Sequence, residues 1–414
     1  MIQNMDIQQI LKGYDKDNIT ISVLGSHSAL DVCRGAKDLG FKTLVITQKG
    51  RGTPYSKYYK TTLRHPERSR CFEEASPLGG EGSQDLESTD SSTSLGMTSN
   101  EIGCVDEVLE LDNFRDILKE ENQEKLRKRN AIFIPHRSFE VYINDYDAIE
   151  NEFKVPMFGN RKLLRSEERG SGGVDQYKIM NEAGIRYPKQ FKDPKDINTI
   201  AIVKVLEKDR GFERANFLVK DYDEYIKKKN RGLSRGSFTE EQLAKAVIEE
   251  FILGVQVNFN FFYDSINKRL ELIGTDTRRQ TNFEGFHKLS YEFQKAYEEM
   301  EEAIKYEEAS HTAVTVLESM LERAFEIGEK FVEATKKLGL PVIGPFGLQS
   351  MIIPGPPKKE IIVFDVSPRM PGSPGISATP YSGYLYGESI SAGKRVAIEI
   401  KQAISQNKLE EVLT

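Results

Sequence analysis

Apolar residues recur along this chain with two spacings, and the order in which the spacings alternate outlines the architecture. Ile19 to Leu24 is a continuous apolar run, Gly25-Ser26-His27-Ser28 reads as a turn, and the residues up to about Leu39 place apolar side chains at helical intervals. A second apolar run, Thr43 to Thr47, follows. Strand, crossover helix and strand predict a parallel βαβ unit, a Rossmann-like opening preceded by a helix at roughly Ile7 to Tyr14. Ala131 to Pro135 repeats the logic, an apolar strand ending in His136, Arg137 and Ser138.

Further on, Gln176 to Gly184 predicts a helix stopped by glycine, and IRYPKQF a strand. TIAIVKVLEKDRGFERANFLVKD gives two strands around a charged loop. AKAVIEEFILGVQVNFNFFYD reads as a helix ending at Glu249 and Glu250, then an alternating strand. The strand LELIG leads into a loop carrying Asp276, Arg278, Arg279 and Asn282, and an amphipathic helix is expected from about Ser290 to Leu338. Last comes an antiparallel hairpin, PVIGPFGLQSMII against EIIVFDVS, turning through PGPPKKE.

Composition narrows the class. A chain of 414 residues with 38% hydrophobic content has room for two or three domains with proper cores. A net charge of -6 and a pI near 5.7 argue against a nucleic-acid scaffold. Cys33, Cys71 and Cys104 form no CxxC pair, which favours a reducing cytoplasm. No apolar run is long enough to span a bilayer, so no membrane partner is expected. About residues 64–103, rich in Ser, Gly, Glu and Pro without aliphatic periodicity, read as a disordered insertion in the first domain.

Candidate chemistry lies at the strand ends. Ser26, His27 and Ser28 follow the first strand where a helix begins, a position suited to a phosphate or carboxylate. His27 is then either a donor to an anionic group or a residue making local capping bonds. Were the strands before His27 and His136 neighbours, His27, Ser28, His136 and Ser138 would face one pocket. In the final hairpin Asp365, Ser367 and Arg369 alternate and so share a face, with Gln349 expected beside Asp365. An acid, a hydroxyl and a guanidinium there suit a divalent cation bound to a polyphosphate. Lys204, at a strand end, either reaches a phosphate or serves as an edge-strand lysine. Arg161, Lys162 and Arg165 form either a solvated basic face or an anion site.

These pieces, taken in order, resemble the archaeal PurP family of formate-dependent 5-formaminoimidazole-4-carboxamide ribonucleotide (FAICAR) synthetases. The likeness rests on LGSHSAL (Leu24–Leu30), GAKDLGFKTLVITQKGR, IPHRSF (Ile134–Phe139), VPMFGNRKLLR, IEEFILG (Ile248–Gly254), IGPFGLQS, VFDVSPR (Val363–Arg369) and PYSGYLYGE. It implies an ATP-grasp fold, α/β and α+β, with a Rossmann-like preATP-grasp domain over 1–155, a nucleotide-binding small lobe over 156–255 and a large lobe with the metal site over 256–414. The implied reaction phosphorylates formate with ATP and Mg2+ or Mn2+. The amine of 5-aminoimidazole-4-carboxamide ribonucleotide (AICAR) then attacks formyl phosphate.

By the same resemblance His27, Ser28 and Ser138 would hold the nucleotide, its phosphate at the strand-end turns, with Arg278 and Asn282 near the formyl or base end. Lys178 and Lys204 would grip ATP phosphates, and Glu249, Glu250, Phe251 and Ile252 would meet the adenine. Gln349 and Asp365 would bind the metal, and Arg369 and His27 would be catalytic. A homo-oligomer is implied as well. Two stretches depart from the family: VLEKDRGFERANF replaces a glycine-rich flap, and FDVSPRMPGSPG replaces a run with a distal Asn. They leave open a paralogue with another carboxylate and amine, or a nucleotide-binding protein without turnover.

Overall fold

The computed structural model describes residues 4–63, 101–168, 173–205, 216–280, 283–299, 308–355 and 357–414. The flap at 206–215, Asn282, Cys71 and nearly all of the expected insertion therefore lie outside the described residues.

In the first unit, β1 (Thr20–Leu24), β2 (Lys42–Gln48), β3 (Thr62–Leu63), β4 (Glu101–Ile102), β5 (Glu107–Leu111) and β6 (Ala131–Phe133) succeed one another. Four of them make a parallel sheet in the order β5-β2-β1-β6. Every residue of β1 is buried, as a strand covered on both faces requires. β3 and β4 pair with each other beside the insertion, Thr62 opposite Ile102.

The second sheet is antiparallel, β7 (Gln190–Phe191), β8 (Ala201–Lys204), β9 (Asn216–Val219) and β10 (Val247–Glu250) in the order β7-β10-β8-β9. Here the expectation of a helix ending at Glu249 and Glu250 is corrected. The helix stops at Ala244, and Val247 and Ile248, β-branched and flanked by two waiting strands, pair with β8 and β7 instead.

The third sheet holds β11 (Val255–Asp264), β12 (Arg269–Gln280), β13 (Glu308–Ala313), β14 (Gly344–Ile353) and β15 (Glu360–Ser367), ordered β13-β12-β11-β14-β15 and antiparallel throughout. Two expectations fail here. Arg278 and Arg279 belong to β12 rather than to a loop, and the single helix from Ser290 to Leu338 is instead a helix Tyr291–Glu299, strand β13 and a helix Leu321–Lys337.

The helix Ala392–Ser405 fastens the first unit to the third sheet. On one side it meets the helix Ala29–Asp38 so closely that neither Gly35 nor Gly393 has room for a Cβ. On the other, buried Arg395 bonds Glu271 at 2.6 Å, Asp264 at 2.8 Å and Glu399 at 2.9 Å. Removing one member of such a buried ion cluster would strand the others' charge. The large lobe expected over 256–414 thus shares the helix Ala392–Ser405 with the first unit's core.

Arg161 is neither solvated nor an anion site. Burial leaves its guanidinium bonded to the carbonyls of Ile149, Phe153, Val155 and Thr414, with its pKa lowered to about 10. Arg165 pairs with Asp147 and Glu150. Among the described residues no helix is long and apolar enough to cross a membrane.

Candidate active site between two sheets

β1 and β6 are neighbours, so the turns that follow them face each other. His136 caps the helix Arg137–Ile143, its Nδ1 accepting from the Ser138 amide at 3.2 Å while Nε2 donates to the Leu24 carbonyl at 2.9 Å. That pattern fixes a neutral tautomer. Burial, against the opposing pull of the Leu24 bond and with the Arg369 charge beside it, lowers the His136 pKa to about 4. The His27 ring stacks on it, centroids 5.7 Å apart, and Ser138 Oγ donates to Ser26 Oγ at 3.0 Å.

His27 sits at a positive φ of 51° with its ring over Gly372, which has no space for a Cβ. Ser28 Oγ donates its one hydrogen to the Pro371 carbonyl at 2.5 Å. The 3.0 Å contact between His27 Nδ1 and Ser28 Oγ must therefore carry the histidine's hydrogen. Desolvation, then the Arg369 charge, lowers the His27 pKa to about 3, which leaves Nε2, beside Gly372, a lone-pair acceptor. Of the two roles open to His27, the structure displays the local one, with the Nδ1 hydrogen directed to Ser28, which leaves Nε2 suited to an amine or hydroxyl donor.

Below these turns lies a buried ion cluster that no local pattern announces. Arg369 grips Glu167 through Nη2 at 2.8 Å and Nε at 3.2 Å, and bonds the Met370 carbonyl at 3.1 Å. Arg137 reaches Glu168 at 3.1 Å, and Tyr146 donates to Glu140 at 3.0 Å. Burial, then the Glu167 charge, raises the Glu140 pKa to about 8. Arg369 thus leaves the face it was expected to share with Asp365 and Ser367, because strand pairing ends at Ser367 and the chain turns toward Glu167.

On the third sheet the predicted register holds, with Gln349 opposite Asp365. The polar row continues through Asn258, opposite both Gln349 and Asp276. Asp276, 1% exposed, accepts from Asn258 Nδ2 at 3.2 Å, from Asn260 Nδ2 at 2.6 Å and from His311 Nδ1. His311 Nε2 lies 2.9 Å from Glu308, whose other oxygen is 3.2 Å from Arg278 Nε. Burial alone would lower the His311 pKa, yet the bonds to Asp276 and Glu308 outweigh it and raise it to about 9. Glu308 moves oppositely: burial would raise it, but His311 and Arg278 bring it to about 2.

The donor set fits a divalent cation shared with a polyphosphate. Gln349 Oε1 is buried without a hydrogen-bond partner, and the Asp365 carboxylate stands opposite it. Among the described residues no cluster of three His, Cys, Asp or Glu could hold a metal by itself, so most ligands would come from the nucleotide.

The second sheet meets the third where Lys204 lies over Phe364. Lys204 pairs with Glu249, which Tyr177 also bonds at 2.8 Å, and the Lys204 ammonium lies 5.6 Å from the Phe364 ring centre. The Glu250 and Phe251 amides are spent on the carbonyls of Lys189 and Ile200. Glu250, Ile252, Leu253, Ile353 and Ile362 line an open cleft of about 390 Å3. Lys178 stands on the exposed face of its helix. Of the expected site residues, then, the structure gathers His27, Ser28 and Ser138 at the strand ends, and Gln349, Asp365 and Arg278 along the third sheet. His311, Asn258 and Glu167 are site residues that sequence reasoning missed, and Asp276, expected on a loop, stands in β12.

Comparison with known proteins agrees across the chain. Residues 21–191 match a family described as a protein of unknown function (DUF1246), and residues 224–414 one described as a domain of unknown function (DUF1297). The chain is 35% identical over its full length, and that of the relative, to 5-formaminoimidazole-4-carboxamide-1-(beta)-D-ribofuranosyl 5'-monophosphate synthetase of Methanocaldococcus jannaschii. It is 32% identical to the synthetase of that name from Methanopyrus kandleri, again over all of both chains. Among solved structures, an IMP biosynthesis protein PurP from Thermococcus kodakaraensis superposes with a TM-score of 0.61, at 24% identity, covering 95% of this chain and all of that one. An ADP complex of N5-carboxyaminoimidazole ribonucleotide synthetase gives 0.53 at 10% identity, with 86% of this chain and 71% of that one covered. The fold is ATP-grasp.

Proposed function

The chain belongs to the family of 5-formaminoimidazole-4-carboxamide-1-(beta)-D-ribofuranosyl 5'-monophosphate synthetases, and from that membership we propose that it joins formate to AICAR at the expense of ATP. A formate oxygen attacks the γ-phosphorus of ATP, ADP leaves, and formyl phosphate forms. The AICAR amine then attacks the formyl carbon; phosphate departs with the former formate oxygen, the nitrogen loses a proton, and FAICAR remains.

The observation that carries the reading is the juxtaposition of two half-sites. Neutral His27 and the hydroxyls of Ser26 and Ser138 sit at the strand ends of one sheet, and the row from Asp365 to Asp276 crosses another. Each suits one half of the chemistry. His27 Nε2 accepts a hydrogen bond from the amine and holds its lone pair toward the formyl carbon. Lys204 stands over ATP's phosphates, and Glu250, Ile252 and Leu253 line the adenine cleft. Gln349 and Asp365 would hold a divalent cation, which when bound neutralises charge on the transferred phosphoryl group. Arg369, clamped by Glu167, adds positive charge behind the strand ends, which together with burial, the larger cause, keeps His27 neutral.

The test is ADP release by the purified full chain with ATP and magnesium. ADP and a formylated product that appear only with formate and AICAR together are the expected result. ADP release indifferent to formate, or none in any mixture, would overturn the reading.

A further inference from the structure

The buried ion cluster beneath the strand ends holds more acid than base. Glu140, Glu167 and Glu168, whose side chains are 0%, 9% and 17% exposed, face the guanidiniums of Arg137 and Arg369. His27 and His136 above them are neutral, so neither adds a cation. Three carboxylates around two guanidiniums leave one negative charge uncompensated, and a buried carboxyl in that position takes up a proton instead.

Geometry singles out Glu140 as the one that does so. Glu167 takes two bonds from Arg369, at 2.8 Å and 3.2 Å, and Glu168 lies 3.1 Å from Arg137. Glu140 stands further off, with Arg369 Nε 3.7 Å from its Oε1 and Arg137 Nη1 3.8 Å from its Oε2. Among the described residues Oε1 is buried without a hydrogen-bond partner, and Oε2 meets the phenol of Tyr146 at 3.0 Å. With a proton on Oε2, Glu140 donates to that phenol, whose own hydrogen turns to Glu168 Oε1 at 3.4 Å. Burial, then the Glu167 charge, acts in the same direction and carries the Glu140 pKa to about 8. The charged and titratable groups around it are Arg137 on its own helix, Tyr146 on the next with Arg165 behind the ring, Glu167 and Glu168, and Arg369 after β15.

We propose that Glu140 is a positioning residue for Arg369, kept as the neutral acid so that Arg369 answers to Glu167 alone and the floor beneath the strand ends carries no net charge. Arg369 opens the segment on which the strand-end turns are seated. Its Nη1 holds the Met370 carbonyl, Met370 bridges to His136, the Pro371 carbonyl takes the Ser28 hydroxyl, and the His27 ring lies over Gly372. Loss of the Glu140 proton sets a second carboxylate beside Arg369 Nε, which draws the guanidinium off its seat and makes the floor negative toward anionic reactants. The proposal rests on the ligase reading, in which formate and formyl phosphate are those anions.

The experiment is an NMR titration of the full chain with labelled glutamate carboxyls and arginine side chains, beside the pH profile of turnover with ATP, magnesium, formate and AICAR. Both are run on the wild type, Glu140→Gln and Glu167→Gln, with melting temperatures as the folding control. Glu140 should be a neutral acid at pH 7 and titrate near 8, and the Arg369 Nε–H signal should move in the same step but not in Glu140→Gln. Wild-type kcat should fall about tenfold from pH 7 to pH 9, and Glu140→Gln should abolish most of that fall. Glu167→Gln gives an independent reading: without the neighbouring charge, and with Arg369 turned to Glu140, the step should move to lower pH. An ionised Glu140 at pH 7, an Arg369 signal indifferent to its titration, or a fall in kcat that Glu140→Gln leaves intact would overturn the proposal. The predicted NMR pattern without formylated product in any mixture would keep the positioning and overturn the ligase reading. Formylated product from a chain whose Glu140 is ionised at pH 7 would do the reverse.

Discussion

The two faces of the cleft treat the same side chain in opposite ways. At the ends of β1 and β6, His27 and His136 are bonded to a hydroxyl and a carbonyl, with Arg369 close by, and both are neutral at pH 7. On β13, His311 lies between the carboxylates of Asp276 and Glu308 and keeps its proton. Both rings are largely enclosed, and burial alone leaves His136 neutral, whereas the carboxylates of Asp276 and Glu308 outweigh burial and keep the proton on His311. The cleft thus presents a neutral acceptor on one wall and a cation on the other.

The largest break in that contrast should come from Asp276→Ala. It leaves His311 and two asparagines without their shared acceptor, at a cost of about 3–5 kcal/mol in denaturant unfolding. Asp365→Asn, at the far end of the row, should instead reduce magnesium-dependent turnover by about 100-fold or more while changing stability by less than about 1 kcal/mol. Unchanged turnover in that variant would remove Asp365 from the cation site.

The pH dependence of stability separates the two walls. His136 has a folded pKa below its ordinary 6.5, so between 6.5 and about 4 the unfolded chain binds the proton that the folded one refuses. Stability therefore falls as pH drops through that window, and His136→Gln should flatten this acid limb by on the order of 1–3 kcal/mol. His311 has the opposite sign. Its contribution is full below 6.5 and is lost as pH rises through about 9, so His311→Gln should flatten the alkaline limb, by on the order of 1–2 kcal/mol. The smallest effect is expected from Gly372→Ala, which pushes the His27 ring off its seat and should raise KM for AICAR several-fold, leaving KM for ATP alone.

How legible this was in the sequence depends on distance along the chain. The βαβ opening, the strand before His136 and the Gln349–Asp365 register follow from local periodicity and a short hairpin, and they came through. β13 did not. Its sequence, Glu308-Ala309-Ser310-His311-Thr312-Ala313, is an edge strand with almost nothing buried, and it lies between two helical patterns that invite a single long helix. Asp276 and Arg278 were read as loop residues because a polar run looks like a loop, whereas here the polar side chains line a functional sheet face. Arg161 and Arg369 were misplaced for a third reason. Their partners, Thr414 and Glu167, lie 253 and 202 residues away, and no local pattern announces them.

The contrast between the two walls is tested most directly by an NMR titration of the protein with isotope-labelled histidine. The account predicts that at pH 7 the His311 signals report an imidazolium and those of His27 and His136 a neutral ring, with His311 titrating near 9 and His136 near 4. A neutral His311 at pH 7, or a charged His27, would contradict it.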